Sequence, residues 1–216
     1  MTSTRTIIVG MCLILSGFCA AQHTPLTSQY LFNGLLINPA YAGSRDALTA
    51  NLTWRDQWVG FEGAPSTQVL SVHTPLSRRK LGLGILVLND AIGVSQQTGI
   101  YANAAYRLRF KKAKLQFGLG GGVSTLQARW SQVNLQQGGD ASYANDSRGT
   151  LRPNLSAGVF YYTKQYFAGL SLPFFLAHQY DAQADKWTLA PRTSQYQPML
   201  FVGGVYTLTD DLKLKP

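Results

Sequence analysis

From residue 47 to its end the chain alternates between two kinds of side chain with a period of two, and successive segments of that kind commit it to strands with unlike faces. Between Ala47 and Arg55, Leu48, Ala50, Leu52 and Trp54 share one face, while Thr49, Asn51, Thr53 and Arg55 share the other. Gln68, Leu70, Val72, Thr74 and Leu76 oppose Val69, Ser71 and His73; Leu81, Leu83, Ile85 and Val87 oppose Gly82 and Gly84. Ile100, Ala102, Ala104, Tyr106 and Leu108 oppose Tyr101, Asn103, Ala105, Arg107 and Arg109, and Leu115, Phe117, Leu119, Gly121 and Val123 oppose Gln116, Gly118, Gly120, Gly122 and Ser124. Further strands are expected at about 153–162, 166–174 and 197–208, with Leu212 and Leu214 alternating against Lys213 and Lys215 in a ninth.

The connections alternate too. Short turns fall at Ser77-Arg78-Arg79-Lys80, Lys111-Lys112-Ala113, Thr163-Lys164-Gln165 and Thr209-Asp210-Asp211, and long loops at roughly 56–66, 90–97, 128–152 and 175–196. Short turns at one end and long loops at the other describe an antiparallel up-and-down outer-membrane β-barrel, turns in the periplasm and loops outside. Composition agrees: only 13% of the 216 residues are charged, against roughly a quarter in soluble domains, and 12% are aromatic. A mean hydropathy of -0.04 leaves no room for a bundle of membrane helices. Trp54, Trp58, Phe61, Trp130, Phe174, Phe175 and Tyr196 cluster near the loop end, and Tyr106, Phe110, Tyr162 and Tyr166 near the turn end, where interfacial girdles belong. A soluble β-sandwich also buries alternate residues and stands as the alternative fold. Eight or nine strands do not close on a ninth that ends at Pro216, so the barrel domain, 47–216, is read as incomplete at its C-terminus.

Before the barrel lie two other segments. Residues 1–21 have the three parts of a cleaved signal peptide: Arg5, the apolar run Ile7 to Leu15, and Cys19-Ala20-Ala21 before Gln22. Phe18 before Cys19 and Met11 before Cys12 weigh against lipidation, and cleavage after Ala21 removes both cysteines. Residues 22–46 form a periplasmic N-terminal segment that packs on the barrel mouth or plugs its lumen, with Pro39 biasing Asn38 away from helix and Gly43 permitting a turn.

The run Gln29-Tyr30-Leu31-Phe32-Asn33-Gly34-Leu35-Leu36-Ile37-Asn38-Pro39-Ala40-Tyr41-Ala42-Gly43-Ser44 is followed by Trp54-Arg55-Asp56-Gln57-Trp58-Val59-Gly60-Phe61-Glu62-Gly63-Ala64-Pro65. Then come His73-Thr74-Pro75-Leu76 and Gly82-Leu83-Gly84 with Asn89-Asp90. These words, in this order, resemble the PorP/SprF family of type IX secretion system membrane proteins of the Bacteroidetes, from about Gln29 to Phe110 and more weakly beyond. The resemblance implies an outer-membrane barrel longer than this chain. It also implies a role in exporting or attaching specific client proteins, gliding adhesins among them, and partnership with other type IX components and outer-membrane lipid. The residues it marks for partner contact are Asn38, Pro39, Tyr41, Gly43, Trp58, Gly60, Phe61, Gly63 and Pro65. With it, the loop from Trp58 to Pro65 and the polar loop from Ser131 to Gly149 become an external docking face.

Other chemistry finds little support. The formal charge is +9, and many of the basic groups sit in or next to short turns (Arg78, Arg79, Lys80, Lys111, Lys112, Lys164) without a basic helix or stacking platform, which leaves nucleic acid out. Gly118 to Gly122 lies within a strand pattern with no helix after it, so it reads as small inward residues or a bend, not a phosphate cradle. His73 beside Ser71 makes no triad, and Asp56, Glu62, Asp90, Asp140, Asp146, Asp181 and Asp185 read as a solvated outer face, so neither enzyme, metal nor cofactor is expected. The rival function is a passive porin, in which Arg55, Asn103, Arg107 and Arg109 line an anion-preferring lumen.

Overall fold

The computed structural model describes residues 32–76, 80–132, 146–147, 149–173, 178–181, 186–189, 197–207 and 213–214. The expected signal peptide, most of the 131–149 loop, and Phe174, Phe175 and Tyr196 lie outside the described residues.

Among the described residues there are twelve strands: β1 (Thr49–Asp56), β2 (Ser66–Leu76), β3 (Leu81–Ile92), β4 (Ser95–Arg109), β5 (Lys114–Ala128), β6 (Thr150–Tyr162), β7 (Tyr166–Leu172), β8 (His178–Asp181), β9 (Lys186–Leu189), β10 (Met199–Gly204), β11 (Tyr206–Thr207) and β12 (Lys213–Leu214). Eight make one antiparallel sheet in the order β1-β2-β3-β4-β5-β6-β7-β10, curled into a half-barrel. Each strand pairs with its predecessor in the sheet because two-faced strands joined by turns pack most directly on their neighbours. β8 and β9 pair in a side hairpin within the β7–β10 connection. Among the described residues β1 and β10 are the edges of the sheet. No described helix is long and apolar enough to cross a membrane, which says nothing of strands.

Burial alternates residue by residue as the sequence pattern requires. In β4, Tyr101, Asn103, Ala105 and Arg107 are buried, and Ile100, Ala102, Ala104 and Tyr106 between them are exposed. The outward face of the sheet is a broad apolar wall that includes Leu52, Leu70, Leu83, Ile85, Ile100, Leu119, Leu155, Leu170 and Leu200, all exposed. The inward face holds Val69, Leu86, Leu88 and Tyr101 as one cluster. Toward β10 it holds an aromatic group centred on Phe160, whose ring lies 5.3 Å from Tyr41, 5.0 Å from Tyr162, 6.3 Å from Phe167 and 5.9 Å from Phe201.

Four expectations are corrected. Residues 90–97 are not a long loop, since β3 and β4 run on to Ile92 and from Ser95 and only Gly93-Val94 joins them. Their polar side chains, which mimic a loop composition, bond across strands: Gln96 Nε2 and Thr98 Oγ1 each donate to Asn89 Oδ1 at 3.0 Å, and Thr67 Oγ1 donates to Asp90 Oδ1 at 2.5 Å. Asp90 is therefore buried on the inward face and does not belong to a solvated rim. The ninth strand does not join the sheet: Lys213 and Leu214 pair with Thr207 and Tyr206 in a hairpin of their own. Tyr162, expected in an outer aromatic band, stacks inward on Phe160.

Because Phe160 joins strand, neighbours and the N-terminal segment in one cluster, Phe160→Ala is expected to lower unfolding stability by about 3 kcal/mol. Urea titration of the refolded protein in detergent, followed by tryptophan fluorescence, measures this, and a wild-type midpoint would show that the cluster carries no weight.

Candidate functional site

Strand register places small residues side by side on the inward face. Pro75 pairs with Gly82, Gly82 with Ala105, Ala105 with Gly118, Gly118 with Gly158, and Gly158 with Ser171. One row thus crosses six strands with no side chain large enough to keep another backbone away. The N-terminal segment lies in this trench: a short helix α1 (Gly34–Ile37), Asn38, and a 3₁₀ turn Pro39–Tyr41. A Cβ on Gly118 would collide with the backbone of Ala40 and Pro39, one on Gly82 with Ala42, and one on Gly158 with the Asn38 side chain. Glycine there is a requirement of close approach, not of strand formation.

Polar contacts fix the segment along the trench. Asn38, fully buried, accepts from the Ala40 amide at 2.8 Å and donates through Nδ2 to Val159 O at 3.0 Å, so one side chain both caps the turn and ties it to β6. Ser171 Oγ donates to Ile37 O at 2.6 Å, Ser71 Oγ donates to Asn33 Oδ1 at 2.9 Å, and Tyr162 OH donates to Ser44 O at 3.3 Å. His73 accepts through Nδ1 from the Gly43 amide at 3.2 Å, a satisfied inward histidine. Gln116 is fully buried; in the orientation that satisfies its amide it donates to Ala40 O and accepts from Arg107 Nε, both at 3.2 Å.

At the lower end of the trench the contacts become ionic. Arg107, buried on β4, bonds Asp46 and Gly43 O, while Lys114 Nζ reaches the other Asp46 oxygen at 2.6 Å. Burial resists ionisation of Asp46, but hydrogen bonds from Lys114 and Arg107, reinforced by their charges, hold its carboxyl below the ordinary value. A buried guanidinium without a counter-charge would be strongly destabilising, so Asp46 and Arg107 require each other.

The second predicted patch, Trp58 to Pro65, sits at the opposite end of the sheet in the β1–β2 connection. The loop is closed by Gln57 N–H to Pro65 O at 2.9 Å, Phe61 N–H to Trp58 O at 3.1 Å, and Gly93 N–H to Gly63 O at 2.8 Å. Gly60 (φ 101°) and Gly63 (φ 73°) occupy conformations that side chains resist, and Trp58 adopts φ 54° despite having one. The ordered loop leaves Trp58, Val59 and Phe61 with 71%, 84% and 77% of their surface exposed.

The nine residues singled out in the sequence thus divide. Asn38, Pro39, Tyr41 and Gly43 lie together in the trench, whereas Trp58, Gly60, Phe61, Gly63 and Pro65 form the exposed loop. Asp46, Lys114, Gln116 and Ser171 were not anticipated; Arg107, which only the rival porin reading singled out as a lumen-lining residue, holds the segment. The glycines at 82, 84, 118 and 158 were the available signal, since all four alternate onto the inward face.

Release of the segment should follow acid. A folded pKa below the ordinary 3.8 means that the Asp46 contacts contribute fully above that value and are lost as pH falls through the folded pKa. Hydrogen-exchange protection of the 40–46 amides is expected to drop in that range. Asp46→Asn should lower it at every pH and remove the acid step; a step retained in that variant would place the titration elsewhere. Gly118→Val should strip protection from 37–43 at neutral pH while the sheet amides stay protected.

No curated protein and no solved structure gives a match. The family profile for the type IX secretion system membrane protein PorP/SprF matches residues 19–216, nearly the whole chain. With that coverage, a half-barrel of two-faced strands, and the Asn38 to Gly43 segment in its inner trench, the chain belongs to the PorP/SprF family of type IX secretion system membrane proteins.

Proposed function

We propose that this protein is a non-enzymatic outer-membrane component of the type IX system, exported by a cleaved signal peptide, that assists export or surface attachment of specific client proteins such as gliding adhesins. The observation that carries the reading is the strapped N-terminal segment. A porin needs an open polar lumen, and here the inner trench is occupied by Asn33 to Asp46, with Arg107 committed to Asp46 and Gly43. Filling the inner trench while displaying Trp58, Val59 and Phe61 on an ordered loop suits a platform that handles partners at its rims. Large aromatics exposed on a fixed loop are typical anchors of protein recognition. The turn end, with Lys80, Lys111, Lys112 and Lys164, then faces periplasmic components of the machinery.

Two experiments test this. Deleting the gene should impair display of one or a few clients and leave small-solute permeability unchanged; reduced anion uptake with intact secretion would favour the porin. Within the loop, Trp58→Gly is the informative variant because glycine accepts φ 54° without strain, so it removes the indole and keeps the loop path. Client display should fall in Trp58→Gly at unchanged barrel abundance, and should also fall in Gly60→Val, which strains the loop and spares the indole. Normal display in both would remove the loop from the site.

A further inference from the structure

The outward wall is not uniform. In register, Leu81 pairs with Tyr106, Tyr106 with Phe117, and Phe117 with Val159, a row of large side chains; one step up the strands, Ala104 pairs with Leu119 and Leu119 with Ala157. Small residues at 104 and 157, set between large ones, open a shallow apolar groove of about 690 Å³ on this face, within the size range of small-molecule sites. It lies in the half of the wall nearer the turns. Lys80, exposed, directly precedes the lining residue Leu81, and the exposed pair Lys111-Lys112 tips the turn between the two central strands of the groove.

We infer that this groove binds an anionic phospholipid of the periplasmic leaflet, its acyl chain along Ala104, Leu119 and Ala157 and its phosphate among Lys80, Lys111 and Lys112. This rests on the outer-membrane reading above. On that reading the medium against the outward wall is lipid, so the groove is filled by chains whether or not it selects them. Selection comes from charge: the described turn residues, Lys80, 110–113 and 163–165, carry four lysines and no carboxylate, and Asp46 at this end is ion-paired to Arg107 and Lys114, whereas Asp56, Glu62 and Asp146 stand at the other end of the strands. A basic segment at a membrane surface favours anionic headgroups, by roughly fivefold per lysine before screening. Tyr106 and Phe117 on the groove's lower row place aromatic rings between chain and headgroup levels, as interfacial belts do.

The full-length protein, extracted from outer membranes and delipidated in mild detergent, is titrated with dioleoyl phosphatidylglycerol or dioleoyl phosphatidylcholine and read by native mass spectrometry. Phosphatidylglycerol is expected to be retained about tenfold better. A Lys80→Ser, Lys111→Ser, Lys112→Ser variant should bring the two lipids level, and an Ala104→Leu, Ala157→Leu variant, which fills the groove, should lose both. Equal retention of the two lipids by the wild type, or undiminished phosphatidylglycerol binding in the lysine variant, overturns the site. Each sample is also run unboiled and boiled on detergent gels. A wild type that does not migrate faster unboiled overturns the membrane-barrel reading and the site with it, while a fast form with unselective binding overturns the site alone.

Discussion

The structure depends on backbone approaching backbone across the inside of the sheet. At Gly82, Ala105, Gly118, Gly158 and Ser171 five neighbouring strands present almost nothing inward, and into that space the 37–43 segment lays its own main chain. Glycine in a strand is unfavourable by roughly 0.5–1 kcal/mol relative to alanine, so a row of such residues is a standing cost to the sheet. What offsets it is contact made nowhere else: the Asn38 tie to β6, the Ser171 bond to Ile37 O, and Leu35 buried over Gly84. Larger side chains in the row would strengthen the strands and expel the segment.

That geometry dictates the electrostatics. Once the segment covers the inward face, Arg107 is cut off from water, and a buried guanidinium must find both charge and hydrogen-bond acceptors. Gly43 O and Asp46 supply them, and Gln116 accepts from Nε. Lys114 faces Asp46 from the sheet's exposed end and lies 5.5 Å from the Tyr162 ring, so the strap ends in a cation–π contact at the rim. Packing and charge thus fail together: moving the segment uncovers Arg107, and neutralising Asp46 loosens the segment.

How much was legible in the sequence follows from the range of the interactions. Strand faces were readable because a period of two is local, and every strand from Thr49 to Arg109 shows it. His73 could be set inward for the same reason. The trench could not be read, because Gly82 and Gly158 become part of one row only through three intervening registers, and no local pattern contains a register. Asp46 was passed over because a lone carboxylate before a strand has no signature without its partners on β4 and β5. The apparent loop at 90–97 failed differently: Asn89, Asp90, Gln96 and Gln97 have loop composition, yet Asn89, Asp90 and Gln96 use their polar side chains to bond across strands. The words that mark Asn38 to Gly43 and Trp58 to Pro65 carried family information that physics alone did not supply.

Inner trench and outer groove occupy the same level of the wall, and alternation explains why. Ala104 and Ala105, Gly118 and Leu119, Ala157 and Gly158 are consecutive pairs, one member inward and one outward, so a stretch poor in bulk thins the sheet on both sides at once. Little beyond the backbone ladder then separates the buried segment from the outward surface. The two faces remain independently adjustable nonetheless, since an added side chain at 118 points at Ala40 and Pro39, whereas position 104 lies on the exposed face. A thin wall with separable faces lets the inward face evolve around its strap and the outward face around its surroundings, without either change shifting the strand register that both depend on.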